Sequence, residues 1–304
     1  MTFNRYTLYL IASMALVGAN VGIGKTIVMV VPVTLFALLR FVIGVGILLP
    51  RYRLARMRLV TRKQWLGLFL QALFGTFLFT LLMLYGVSHT SALAAGVITS
   101  TIPAVVIVLS WLLLREKLGP RSIIAVLLAV LGMVIINVTR ADGGGSTGSL
   151  LGNALVAGAV LCESIYVILS RKLTQSLPAI DICAYTHLIG LGLMLPLGIN
   201  AWLHFDFASV DAPTWGLVFW YGLAASVLSF WLWMKGIRHV PAQKAGVFTA
   251  ALPVAAVGYA ILFLQEKPAL AHAIALVCVL GAIWLASGQE HKDVAVEPTP
   301  FEAG

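Results

Sequence analysis

The sequence predicts an all-α integral membrane protein, with ten transmembrane helices in two inverted five-helix repeats. Three observations lead there. Of 304 residues, 61% are hydrophobic and 10% charged, with a mean hydropathy of +1.00, whereas a soluble domain is about a quarter charged. Ten apolar runs can be marked, each long enough to cross the hydrocarbon as a helix of about 20 residues. And segments of the first half of the chain are written again in the second.

The runs cover 6–24, 31–50, 65–85, 91–114, 122–138, 150–169, 181–203, 215–237, 242–264 and 269–287. Ten spans use about 200 residues, so the connections are short and no soluble domain fits between them. Pro and Gly inside the runs do not veto helices, because neighbouring helices satisfy freed backbone groups in a membrane. A transmembrane β-barrel would need strands of about ten residues alternating in polarity, and these runs do not alternate. The first run is read as a span, not a cleaved signal peptide, since the repeat requires it. The three cysteines, Cys162, Cys183 and Cys278, lie in apolar runs, which excludes a disulfide scaffold and provides no metal-ligand spacing. No metal or cofactor is expected. No HExxH, P-loop, GxSxG or pair of intramembrane aspartates is present, and an enzyme is not expected.

The net charge of +9 records orientation. With the N-terminus placed in the cytoplasm, 16 of the 20 Lys and Arg fall on the cytoplasmic side, three outside (Lys25, Arg140 and Lys267), and Arg40 within the membrane. This positive-inside asymmetry predicts ten spans with both termini cytoplasmic. The basic loop 51–63 is read as an anchor near anionic lipid, and no nucleic-acid partner is expected. The polar stretch 141–149 (ADGGGSTGS) reads as a flexible linker between a first repeat, 1–140, and a second, 150–288. The tail 289–304 reads as a disordered cytoplasmic segment.

The repeat is clearest between 85–117 and 235–267, where an ungapped offset of 150 gives 12 identical pairs in 33 positions. They include Gly86/Gly236, His89/His239, Thr99/Thr249, Pro103/Pro253 and Glu116-Lys117/Glu266-Lys267. Spans two and seven match as 32–50 against 178–196, sharing both terminal prolines, Gly44/Gly190 and Gly46/Gly192. Five spans per half is an odd number, so the second half enters the membrane from the opposite face. Inverted halves of this kind support alternating access in secondary transporters.

Candidate functional residues follow from polarity inside the spans. Pro103 and Pro253 should act as hinges, kinking spans four and nine, with Thr99, Thr101 and Thr249 within a turn of them. Glu163 is the only acid well inside the membrane, a functional hypothesis by default. His187 lies at similar depth. The two can pass a proton or hold a substrate ammonium; equally, Glu163 can form a structural pair with His187 or Arg40. Arg40 can attract a carboxylate, or pair within the bundle. Trp220, Tyr221, Ser226 and Ser229 in the aromatic span eight can wall an amphipathic substrate or simply pack helices. Asn20, Gln71, Thr76 and Tyr85 are further hydrogen-bonding groups. Glu116-Lys117 and Glu266-Lys267 read as turn structure, each glutamate compensating the dipole of the helix that follows it.

Several segments together resemble the drug/metabolite transporter superfamily and its ten-span EamA branch. They are Leu39-Arg40-Phe41, the stretch 89–103 (HTSALAAGVITSTIP), Glu116-Lys117-Leu118 with Leu131-Gly132, Ser170-Arg171-Lys172, and the second copy at 239–253 with Glu266-Lys267 and Leu280-Gly281. The resemblance implies a multi-pass protein of the bacterial inner membrane that exports small metabolites, and points first to aromatic or neutral amino acids. It implies a small-molecule substrate and a lipid bilayer as partners. A proton is a candidate coupling ion, and a monomer or weak homodimer is expected. Export of cationic amphiphiles, with Glu163 as charge partner, and a channel-like facilitative uniporter are the alternatives. At Glu163 the family usually carries an apolar or aromatic residue, so its role rests on this chain alone.

Overall fold

The computed structural model describes residues 5–52, 60–114, 149–240, 248–249 and 251–267, with scattered helical positions within 123–131 and 270–281. Apart from those positions, predicted spans five and ten lie outside the described residues, as do the linker up to 148 and the tail. The described residues are helical throughout, with no strand.

We label the helices α1 (Arg5–Val28), α2 (Val33–Leu48), α3 (Arg62–His89), α4 (Ala92–Thr99), α5 (Ile102–Leu114), α6 (Leu150–Leu173), α7 (Ala179–His204), α8 (Ala212–Ile237) and α9 (Ala251–Leu262). Among the described residues, seven segments are long and apolar enough to cross a bilayer: α1, α2 with its following turn to Arg51, α3, the α4–α5 region over Ala92–Leu109, α6, α7 and α8. The short apolar α9 packs against α1 and α4.

Local chemistry sets the helix starts. Pro32 and Pro178 stand at the N-caps of α2 and α7, where a missing N–H costs nothing. Thr61 and Gln64 close a reciprocal capping box at α3. Ser91, Ser149 and Asp211 each accept a backbone N–H at the starts of α4, α6 and α8. The two proline pairs diverge at their far ends. Pro50 lies in a 3-10 turn after α2, while Pro196 is carried inside α7.

α3 and α8 each contain one π-helical turn, at Leu73–Leu78 and Ala224–Leu228. Such a turn disturbs the regular backbone ladder. In α8 the carbonyls of this region take side-chain donors: Arg40 and Ser229 approach that of Ala225 at 3.5 and 3.3 Å, and Cys183 that of Ser226 at 3.3 Å. The polar seam thus joins α8 to α2 and α7.

Glycines set the closest helix approaches. A Cβ on Gly18 would lie 2.1 Å from the Leu252 carbonyl oxygen, and one on Gly22 2.1 Å from the Tyr259 ring, so α1 and α9 touch through these faces. Gly86 meets Val156 of α6, and Gly236 meets Leu10 of α1, each with a Cβ-to-side-chain approach of 2.6 Å. Gly44 and Gly190 are likewise tight, against Ser226 and Phe41, whereas Gly46 and Gly192 face open space.

Glu266 reaches beyond its own turn: its carboxylate accepts the N–H groups of Ala92 and Leu93 at 3.1 and 2.9 Å, at the start of α4.

Candidate functional site

A narrow cavity lies among α1, α2, α3, α6 and α8, with room for about three water molecules. Helical periodicity explains which residues line it. From α1 come Ser13, Met14, Val17, Asn20 and Val21, a stripe at i, i+1, i+4, i+7 and i+8. From α3 come Gly75, Phe79 and Met83, one turn apart, and from α6 Glu163 and Tyr166. α8 supplies Tyr221, Ala225, Ser229 and Phe230, and α2 supplies Arg40. Gly75 is required where it stands, because a Cβ there would sit 2.2 Å from the Tyr166 ring.

The electrostatics are concentrated in two side chains. Arg40 and Glu163 are both 4% exposed and face the same cavity from different helices. No ion pair joins them; among the described residues the one ion pair is Lys25–Glu266 at 3.3 Å. The Arg40 guanidinium lies beside the Phe41 ring at 5.2 Å, and its Nε has no hydrogen-bond partner. Asn20, also 4% exposed, has neither amide atom partnered among the described residues. A buried amide without partners is costly, and one that faces a polar cavity is satisfied by whatever enters. The cavity therefore offers a guanidinium, a carboxyl group and an uncommitted amide, with aromatic walls from Phe79, Tyr166, Tyr221 and Phe230.

Of the sequence candidates, Glu163, Arg40, Asn20, Tyr221 and Ser229 are brought together here. Tyr221 also packs edge-on against Phe36 at 4.7 Å. His187 is buried outside the lining: its Nδ1 is 2.8 Å from the Cys183 carbonyl, and its ring packs against Phe41 and Phe230. Ser226 sits behind the lining and donates to the Arg40 carbonyl at 3.3 Å. Gln71 donates to Ser170 at 2.8 Å.

Thr99 and Thr101 are buried and donate to the carbonyls of Gly96 and Ile98, at the break between α4 and α5. Thr249 is buried just before α9. Pro103 falls in the first turn of α5 and Pro253 in the first turn of α9. A break therefore precedes Pro103, which does not kink a continuous helix; residues 241–247 and 250, ahead of Pro253, lie outside the described residues. Trp220 and Tyr85 are 43% and 37% exposed, and neither lines the cavity.

Sequence reasoning missed Ser13, Tyr166, Phe79, Met83 and Phe230. A signal for Tyr166 was available, since it follows Glu163 by three residues and so shares its helix face. Ser13 likewise precedes Asn20 by two helical turns. It donates to the Ser229 carbonyl at 2.6 Å, tying α1 to α8.

Comparison with known proteins agrees with this architecture. The EamA-like transporter family matches twice, over residues 4–138 and 150–288. The uncharacterized transporter YetK of Bacillus subtilis (strain 168) is 36% identical over 279 residues, covering 91% of this chain and 84% of the relative. The uncharacterized transporter sll1164 of Synechocystis sp. is 26% identical over 246 residues, 77% of this chain and 69% of the relative. A solved crystal structure shares the fold with a TM-score of 0.67 at 22% identity, covering 93% of this chain and 96% of the other. The chain belongs to the EamA-like transporter family, and it is a multi-pass membrane protein.

Proposed function

We propose that the protein is a secondary transporter exporting small zwitterionic metabolites, foremost amino acids with aromatic or neutral side chains, by alternating access through the cavity. One observation carries the reading. The cavity presents one buried guanidinium and one buried carboxylate that do not neutralise each other by direct contact. A free amino acid has the complementary pair of charges, and its side chain would meet the aromatic walls. Glu163 would hold the ammonium and Arg40 the carboxylate, with Asn20 bonding whichever group lies nearest. A purely cationic amphiphile would leave Arg40 uncompensated, which disfavours the drug-export alternative.

The reading includes ten spans in two inverted halves, set in the inner membrane with both termini cytoplasmic, and a monomer or weak homodimer. Several matched features support the inversion. The family matches over 4–138 and 150–288 leave the polar linker between them. The π-helical turns, the Gly86–Val156 and Gly236–Leu10 contacts, and the tight and open glycine pairs all recur at the offsets of the sequence repeat. Two packings related by such symmetry differ little in energy, as a two-state transporter needs.

The test is flux in proteoliposomes, with and without an imposed pH gradient, over a panel of amino acids and cationic dyes. The reading expects neutral or aromatic amino acids to move and Glu163→Gln to lower the rate at least about tenfold, the effect of losing roughly one charged hydrogen bond. Transport of dyes alone would contradict the substrate class. Flux that ignores the gradient would exclude the proton as coupling ion and leave facilitative uniport.

A further inference from the structure

We infer that Lys25 and Glu266, together with the N-terminus of α4, form a gate across the end of the transport path farthest from the chain's N-terminus. The inference rests on the transport reading above.

Position comes first. Ser13, Val17 and Val21 line the cavity from α1, and Lys25 continues that stripe by one more turn, about 6 Å beyond Val21. Leu84 and Tyr221, the latter a cavity-lining residue, meet α1 at Gly24, next to Lys25, where a Cβ would be 3.0 and 3.4 Å from their side chains. The next layer outward is polar. Lys25 Nζ donates to the Thr90 carbonyl at 2.8 Å and pairs with Glu266 at 3.3 Å.

The connections decide what this layer does. Lys25 lies in the last turn of α1 and Thr90 follows α3. Ala92 and Leu93 open α4, and Glu266 follows α9. Glu266 lies 173 residues along the chain from Leu93, in the other sequence repeat. Its carboxylate is presented by a turn at Gln265, whose φ of 53° is left-handed, and the Glu266 N–H returns to the Ala260 carbonyl at 3.1 Å. Ser91 already caps α4 through the Ala94 N–H. Glu266 takes the two N–H groups that Ser91 leaves over, with a full negative charge at the positive end of the helix. Four chain segments from both halves are thus held by one carboxylate and one ammonium, whose side chains remain 16% and 25% exposed. Contacts that are few, polar and partly hydrated can break and re-form without exposing an apolar core, as a gate requires.

The test uses full-length protein in sealed vesicles and needs no substrate, so it stands or falls separately from the amino-acid assignment. A reporter cysteine replaces Val17 in a background lacking Cys162, Cys183 and Cys278. Its labelling by a membrane-impermeant maleimide is timed from each face. Lys25→Met and Glu266→Gln are expected to speed labelling from the Lys25 face roughly tenfold, the population shift that loss of one helix cap produces, while Arg171→Met at the opposite end does not. The charge swap Lys25→Glu with Glu266→Lys is expected to leave labelling fast, because a lysine cannot cap the α4 N-terminus. Unchanged labelling in both single variants would overturn the gate. Full rescue by the swap would reduce the gate to a simple ion pair, contradicting the role given to α4. Equal acceleration from both faces would signal general loosening and would also overturn it.

Discussion

At the scale of single residues, the molecule places its two buried charges where each depends on the other. Removing one of two buried charged groups that share a cavity leaves the other without its counterpart, while removing both does not. Thermal melts in detergent should therefore show the Glu163→Gln, Arg40→Met double variant costing less than the sum of the two single variants. Additive losses would mean that the two charges do not sense one another across the cavity. Glycines provide a second contrast. A Cβ on Gly190 would lie 2.4 Å from Phe41, whereas Gly192 faces open space. Gly190→Ala should cost about 1–3 kcal/mol by overpacking, and Gly192→Ala should stay within about 0.5 kcal/mol. Residue-level detail is also where sequence reading was weakest. Trp220 and Tyr221 are neighbours, yet successive helix residues point about 100° apart, so one faces outward and the other lines the cavity. Nothing in their composition tells them apart.

At the scale of helices, the repeated proline motif does something other than kink a rod. Ser100 and Thr101 turn their hydroxyls onto the preceding carbonyls, α4 ends, and Pro103 opens α5 where a missing N–H is harmless. Pro103→Ala should change the melting stability by less than about 1 kcal/mol, yet slow flux in proteoliposomes if relative movement of α4 and α5 accompanies transport. A large loss of stability would instead mark the proline as a structural support. The seven described spans were legible because hydropathy is a one-dimensional signal. Their starts were less so: Thr61, Ser149 and Asp211 cap helices whose marked apolar runs begin at 65, 150 and 215. The contact of Glu266 with α4 was not legible, because its partners are close in space and distant in sequence. The π-helical turns carry no comparable sequence mark.

At the scale of the whole molecule, the matched contacts at the sequence offsets and the cavity support the proposed reading, a symmetric bundle whose middle binds a small dipolar molecule. The repeat was visible in the chain because spacing is preserved within each matched segment, at an offset of 150 for Gly86/Gly236 and 146 for Gly44/Gly190. The cavity was visible only in part, since Glu163, Asn20 and Tyr221 stand out by polarity while Ser13 and Tyr166 join them only once helix rotation is known. The most direct test is equilibrium binding of radiolabelled phenylalanine to the purified protein, competed by phenethylamine and by 3-phenylpropionate. The account predicts that both half-molecules compete weakly with the wild-type protein, that Glu163→Gln abolishes competition by the amine, and that Arg40→Met abolishes competition by the acid. Competition that follows the aromatic ring alone, indifferent to both substitutions, would contradict it.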